Sequence, residues 1–197
     1  MINPEPLPLV LRWRIHEGRI PLRQRHLRSL EPLDLPEPLR AWIHERLEWA
    51  LANMLTDDTE GVLVLHIDPA HEVTVSLDPV RERPVLNLSS LLVEGGLIIG
   101  AEFDGETLEG TVWLECDGAL CASCDELISA TGSLAKDLCE TLKLPLSIHP
   151  QHIEDAENSS LFLISDEFGF VLIQEHPCGE APATSKLEEC FSKLWSA

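Results

Sequence analysis

Tyrosine is absent from this chain, and lysine does not occur before Lys136. The first absence leaves Trp and Phe as the only large aromatics. The second is chemical: no lysine amine can come from anything ahead of Lys136. Cations are scarce altogether, with Lys+Arg 14 against Asp+Glu 34 and a net charge of −20. Phosphate backbones need Lys/Arg neutralisation, so a nucleic-acid or anionic-membrane surface is excluded as an expectation. No apolar run approaches the length of a membrane span. Met1-Ile2-Asn3-Pro4 does not read as a signal peptide, and a cytoplasmic protein is expected. No Gly-rich phosphate loop and no Ser nucleophile elbow occur. Six Cys without a secretory signal read as reduced thiols or a metal site rather than a disulfide framework.

What is present is ordinary for a folded chain: 197 residues, 44% hydrophobic. The cations are sorted by type. All ten Arg lie between Arg12 and Arg83, and all four Lys between Lys136 and Lys193. Leu9 to Ile15 alternates apolar residues with Arg, which predicts a half-buried strand. Glu17-Gly18 is a turn, Pro21 suits the first position of a short basic helix, and Pro32 and Pro36 break the chain. From Glu37 a long amphipathic helix is expected, with Leu39, Trp42, Ile43, Leu47, Ala50, Leu51 and Met54 on one face. Strands are expected at Val62–Ile67, turned by Pro69, and at Glu72–Leu77.

Residues 1–80 thus read as a small α+β domain, 81–85 as a linker and 86–197 as a larger α+β domain. The second domain is expected to open on a helix near Leu86–Glu94. Strands follow at Leu97–Phe103 and Thr111–Cys116. Asp117-Gly118 is a tight-hairpin signal, with a return strand over Leu120–Cys124. A helix is expected from about Gly132 to Leu142 with Ser133 as N-cap. Strands near Pro145–His149, Leu161–Ile164 and Phe168–Ile173 and a helix near Thr184–Trp195 complete the chain.

Three stretches carry a resemblance. LVLRWRIHEGRIPLRQRHLRSL has a strand, an acidic-Gly turn and a helix bearing His and Arg. DGETLEGTVWLECDGAL has an Asp-Gly turn, a Glu-Gly-Thr step and a hairpin. GSLAKDLCETLKLPLSIHPQHIEDAENSSLFLISDEFGFVLI has a Gly-led helix, a strand, a short helix and a strand pair. Their order resembles a shortened class IV (fold-type IV) pyridoxal-phosphate aminotransferase, of the branched-chain aminotransferase and aminodeoxychorismate lyase kind. The resemblance implies a two-domain D-amino acid aminotransferase-like α+β fold, with a C-terminal pseudo-barrel, and a homodimer. It also implies a cleft between the domains where a small molecule or partner would bind.

Such an enzyme needs a lysine for its Schiff base. The resemblance places that lysine at Pro84, in Pro84-Val85-Leu86-Asn87, and proline has no nucleophile. No catalytic residue and no cofactor are therefore expected, pyridoxal phosphate remaining possible by resemblance only. The carried-over cofactor positions are Glu109 for the pyridine nitrogen, and Ser133, Leu134, Ser165 and Arg28 for the phosphate. There Asp166 and Glu167 would oppose a dianion. The alternative enzyme is an active aminotransferase or aminodeoxychorismate lyase with a displaced lysine. A further alternative is an iron–sulfur or zinc site on Cys116, Cys121 and Cys124, whose spacing matches the first three cysteines of a plant-type cluster loop. Against it, the Asp117-Gly118 turn would make Cys116 and Cys121 strand neighbours.

Overall fold

A computed structural model describes residues 9–32, 35–68, 70, 72–173 and 181–195. Pro69 and Cys178 lie outside the described residues. The chain divides into two compact units, Met1–Arg81 and Glu82–Ala197. The architecture is α+β in both.

In the first unit, β1 (Leu9–Ile15), β2 (Gly61–Ile67) and β3 (Val73–Asp78) form an antiparallel sheet with β2 in the centre. The register sets Trp13 opposite Leu63 and Leu11 opposite Leu65. These residues share the inner face, which packs with Leu27 of α1 (Arg23–Arg28) and with Ile43, Leu47 and Ala50 of α2 (Glu37–Asn53). The alternate positions of β1 face outward. Arg12 reaches Asp78 at 3.3 Å and Arg14 reaches Glu60 at 3.1 Å; partly exposed pairs of this kind contribute about 1 kcal/mol or less.

Two local expectations fail here. Pro21 stands ahead of α1, because Leu22 takes a left-handed conformation at the helix entrance. Trp42 is not on the buried face of α2: it is 38% exposed, and Arg46 lies over its ring at 5.2 Å and over the ring of Trp49 at 5.9 Å. Placed four and three residues from the two tryptophans, the guanidinium stacks on both from the outer side.

In the second unit Pro84 is buried, the Arg83 guanidinium donates to the carbonyl of Phe170, and Leu86 bridges Ile173. The helix expected over Leu86–Glu94 does not form. A single 3-10 turn at Leu88–Ser90 leads into β4 (Leu91–Glu94), which pairs with β5 (Leu97–Phe103). Gly95 and Gly96 both have positive φ, so they make the two-residue turn that a right-twisted hairpin requires. A short β6 (Glu106–Thr107) completes this sheet in the order β4-β5-β6.

The main sheet has five strands in the order β11-β10-β7-β8-β9. They are β7 (Thr111–Cys116), β8 (Ala119–Ala122), β9 (Leu146–Ile148), β10 (Ser160–Ser165) and β11 (Gly169–Ile173). The β7–β8 turn is Asp117-Gly118, both at positive φ. The parallel β8–β9 pair is reached through α3 (Ala130–Leu142), the crossover that parallel neighbours demand. A single helical turn, α4 (Ile153–Ala156), precedes β10, and α5 (Pro182–Trp195) closes the chain. One face of the sheet contributes Val112, Leu114, Leu161, Leu163 and Val171 to a cluster with Ile98 and Ala101 of β5. On the other, Trp113, Phe162, Phe170, Phe191 and Trp195 form a continuous aromatic chain with successive centroids 4.5 to 6.2 Å apart. Burial on both faces is why β10, SLFLIS, is nearly continuous in apolar residues rather than alternating. Among the described residues no helix is long and apolar enough to cross a membrane.

Candidate functional site

The chemistry of the second unit collects where the β10–β11 hairpin turns, at Ser165-Asp166-Glu167-Phe168. Ser165 and Gly169 pair across the base of this turn. The Ser165 hydroxyl accepts from the Glu167 amide at 3.1 Å and the Phe168 amide at 3.3 Å, which closes the turn on its own side chain. It also lies 3.4 Å from Oε2 of Glu109, to which it donates. Glu109 arrives just ahead of β7 because Gly110 brings the backbone against β10. A Cβ at Gly110 would lie 2.6 Å from the Ile164 carbonyl, at a φ of +143°. The Glu-Gly pair is thus a packing requirement of the strand start.

Asp166 points the other way, into α3. Its Oδ1 accepts from the Thr131 amide at 2.8 Å and the Thr131 hydroxyl at 2.6 Å, and its Oδ2 accepts from the Ala130 amide at 3.4 Å. The next amide, Gly132, donates to Ser129 Oγ at 3.0 Å. The first three amides of α3 are therefore satisfied by two side chains, one of them a buried carboxylate on the positive end of the helix. The Asp166 amide in turn donates to Glu109 Oε2 at 3.1 Å.

Glu109 has no cation as partner among these contacts. Burial pushes its carboxyl well above the ordinary range, and the negative charge of Asp166 pushes it further. The Asp166 amide and the Ser165 hydroxyl pull down and are outweighed; Glu167 adds a smaller upward push. The two acids lie close enough for the charge of one to raise the pKa of the other.

These positions compare unevenly with those expected from the sequence. Glu109 and Ser165 come together. Ser133 is not the N-cap of α3: the helix begins at Ala130 with Ser129 as cap, because an extended Ser129 bonds the Gly132 amide. The Ser133 amide bonds the Ser129 carbonyl, one turn inside the helix, and Leu134 is buried. Arg28 belongs to the first unit, where it is exposed and its Nε donates to the Gln24 carbonyl at 3.2 Å. Thr131, Ser129 and the inward role of Asp166 were not legible. The only local signal for them is a Ser three residues ahead of a Gly at a helix start. Glu115 was missed in the same way: buried on β7, it accepts from the Ala183 and Thr184 amides at 3.1 and 2.6 Å and caps α5.

The cysteines of the metal alternative lie on and just after the β7–β8 hairpin. Cys116 pairs with Ala119 and Cys121 with Leu114, so the two thiols are diagonal rather than opposite. Cys116 is exposed, while Cys121 receives a hydrogen bond from Ser147 Oγ at 2.9 Å and packs against the core. Among the described residues no group of three or more His, Cys, Asp or Glu is placed to hold a metal ion.

No protein-family profile and no curated protein matches the chain. Solved structures do. The 4-amino-4-deoxychorismate lyase of Pseudomonas aeruginosa superposes with a TM-score of 0.63 at 18% identity, over 95% of this chain and 90% of that one. The branched-chain amino acid aminotransferase of Escherichia coli gives 0.63 at 11%, over 96% and 85%. The fold is that of the class IV aminotransferases. An aminotransferase from Brucella abortus, bound to the cofactor PLP, gives 0.59 at 12%, over 96% and 89%. At these identities the likeness is one of fold.

The residues of this version of the class IV fold decide whether it suits that cofactor. A phosphate needs open amides, hydroxyl donors and a cation. The amides that open α3 are taken by Asp166 and Ser129, and the Ser165 hydroxyl is held in its own turn and on Glu109. A carboxylate is a poor neighbour for a dianion, and a carboxyl whose pKa is raised by burial and a neighbouring acid is a weakened counterion for a pyridinium. The residues present do not fit the group.

Proposed function

We propose that this chain is a non-catalytic binding protein on the class IV aminotransferase fold, one that makes no covalent bond to pyridoxal phosphate. The observation that carries the proposal is the placement of the lysines. Lys136, Lys143, Lys186 and Lys193 are all exposed, on α3, at its C-terminal end and on α5. Lys186 donates to the Leu142 carbonyl and Lys193 pairs with Glu189 at 2.7 Å. A Schiff-base lysine works because a dry, shaped pocket holds its amine near the substrate and lowers its pKa. These four are solvated surface amines, and the Lys193 pKa is raised by its bond to Glu189 rather than lowered. The position that the resemblance assigns to the lysine is Pro84, buried against the second unit's sheet.

The test is an absorption spectrum of the purified protein with excess pyridoxal phosphate, before and after borohydride, followed by peptide mapping. The expected result is no stoichiometric chromophore and only scattered surface labelling. A one-to-one adduct fixed on a single lysine would show the proposal to be wrong. The same preparation addresses the first partner to consider, a second copy of the chain. Sedimentation equilibrium at micromolar concentration is expected to give twice the chain mass, and a monomer at all concentrations would remove the homodimer.

A further inference from the structure

The N-terminus of α3 has the parts of an anion site, and the chain supplies the anion. The helix is 13 residues long, and its positive end presents the Ala130 and Thr131 amides together with the Thr131 hydroxyl. Three donors converging at a helix end are the usual means of holding a phosphate or carboxylate. Asp166 meets all three, from a turn 35 residues away. Two features make this more than an ordinary cap. Asp166 is itself only 2% exposed, so its charge has given up water for these donors. Its own backbone amide is fixed by Glu109 at 3.1 Å, in a turn cross-braced by Ser165, so the carboxylate is delivered by a rigid hairpin.

We propose that Asp166 is an intramolecular anion that closes the α3 terminus to phosphate-bearing ligands, so that the site is filled from within. The block lies in the donors, not in the lysine. It therefore goes beyond the proposal above, and supplying an amine nucleophile elsewhere would not remove it. The geometry also dictates the reverse. A side chain too short to reach Thr131 leaves two amides and a hydroxyl unserved and partly dehydrated at the positive end of a helix. That arrangement favours an incoming anion. An amide in place of the carboxylate keeps an acceptor oxygen on Thr131 and keeps the terminus closed.

The experiment titrates inorganic phosphate against wild type, Asp166→Ser and Asp166→Asn, read by thermal shift and by the Thr131 amide resonance. Wild type and D166N are expected to show no change at millimolar phosphate. D166S is expected to be less stable without phosphate and to recover with it, its apparent affinity exceeding that of wild type by on the order of ten-fold or more. Phosphate that moves the wild-type Thr131 amide in the same concentration range, or a folded D166S that gains nothing, overturns the inference. Should D166S fail to fold even with phosphate, the wild-type and D166N titrations still decide. Wild type that binds phosphate yet is not labelled by pyridoxal phosphate and borohydride sinks this inference and leaves the proposed function standing. Labelling without phosphate uptake does the opposite.

Discussion

Replacing Glu109 by Gln tests the electrostatics of the hairpin site most directly, because the sign of its effect depends on pH. Glu109 in the folded chain is held well above the ordinary carboxylate range, first by burial and then by Asp166. Below the unfolded-state pKa of a glutamate, about 4.3, the side chain is protonated in both states and contributes nothing. As pH rises past that point the unfolded chain gives up its proton and the folded chain does not. Unfolding gains about 1.4 kcal/mol per pH unit until the folded pKa is passed, after which the penalty is constant. Wild type therefore loses stability from this group as pH rises, the opposite of a salt-bridged acid. Glutamine has nearly the same shape. Its oxygen can still accept from the Asp166 amide and the Ser165 hydroxyl, and its NH2 can face the Asp166 carboxylate.

The expected result is equal stability of E109Q and wild type near pH 4, and an advantage for E109Q of about 1–3 kcal/mol at pH 7.5. Hydrogen exchange of the β10 amides, compared between the two proteins at one pH, isolates the second unit from the first. Each 1.4 kcal/mol appears there as a ten-fold slowing. A destabilised E109Q at pH 7.5, or a difference between the two proteins that does not vary with pH, would refute the account of Glu109 as an acid whose pKa the fold raises.

Three further outcomes are expected. Gly110→Ala meets the Ile164 carbonyl and an unfavourable φ together, so it should cost about 2–4 kcal/mol and lower the melting temperature of the second unit by several degrees; a neutral effect in calorimetry would contradict the close approach. Glu115→Ala leaves the Ala183 and Thr184 amides unserved, and about 1–3 kcal/mol should be lost, with α5 amides exchanging faster than those of β10. Under a brief alkylation at pH 8, mass spectrometry should find Cys116 modified and Cys139 untouched. Cys116 is exposed, whereas burial pushes the Cys139 thiol up to about 11; rapid modification of Cys139 in the folded protein would count against the packing of α3.

What was legible in the sequence is what short-range pattern encodes. The alternation of LVLRWRI locates β1, and Asp117-Gly118 locates the β7–β8 turn, because each signal is complete within a few residues. LSSLLVE was misread because a short apolar run fits a buried helix and a strand equally well. Gly95-Gly96, both at positive φ, decides for the hairpin. Trp42 was placed inward on periodicity alone, although its ring is used by Arg46 on the outer side. The candidate site was legible only at Glu109 and Ser165. The contacts that define it join Asp166 to Thr131 and Glu115 to Thr184, 35 and 69 residues apart. No local pattern announces a carboxylate that will cap a distant helix.

Three acids of the second unit, Asp166 and Glu115 buried and Glu109 half-buried, differ in one respect that bears on why the chain can dispense with a ligand at α3. Asp166 and Glu115 each rest on the amides of a helix N-terminus. There the helix dipole and convergent donors compensate the lost hydration. Glu109 has two donors and a negative neighbour, and its pKa is raised instead. A helix terminus served by a bound anion is stabilised only to the extent that the anion is present, as RT ln(1 + [L]/Kd). One served by a side chain is stabilised at every ligand concentration. With Asp166 in place, the ligand-free form of α3 has no open donors to fill. A phosphate would gain nothing there until it had first displaced a carboxylate that the Glu109–Ser165 turn holds fast.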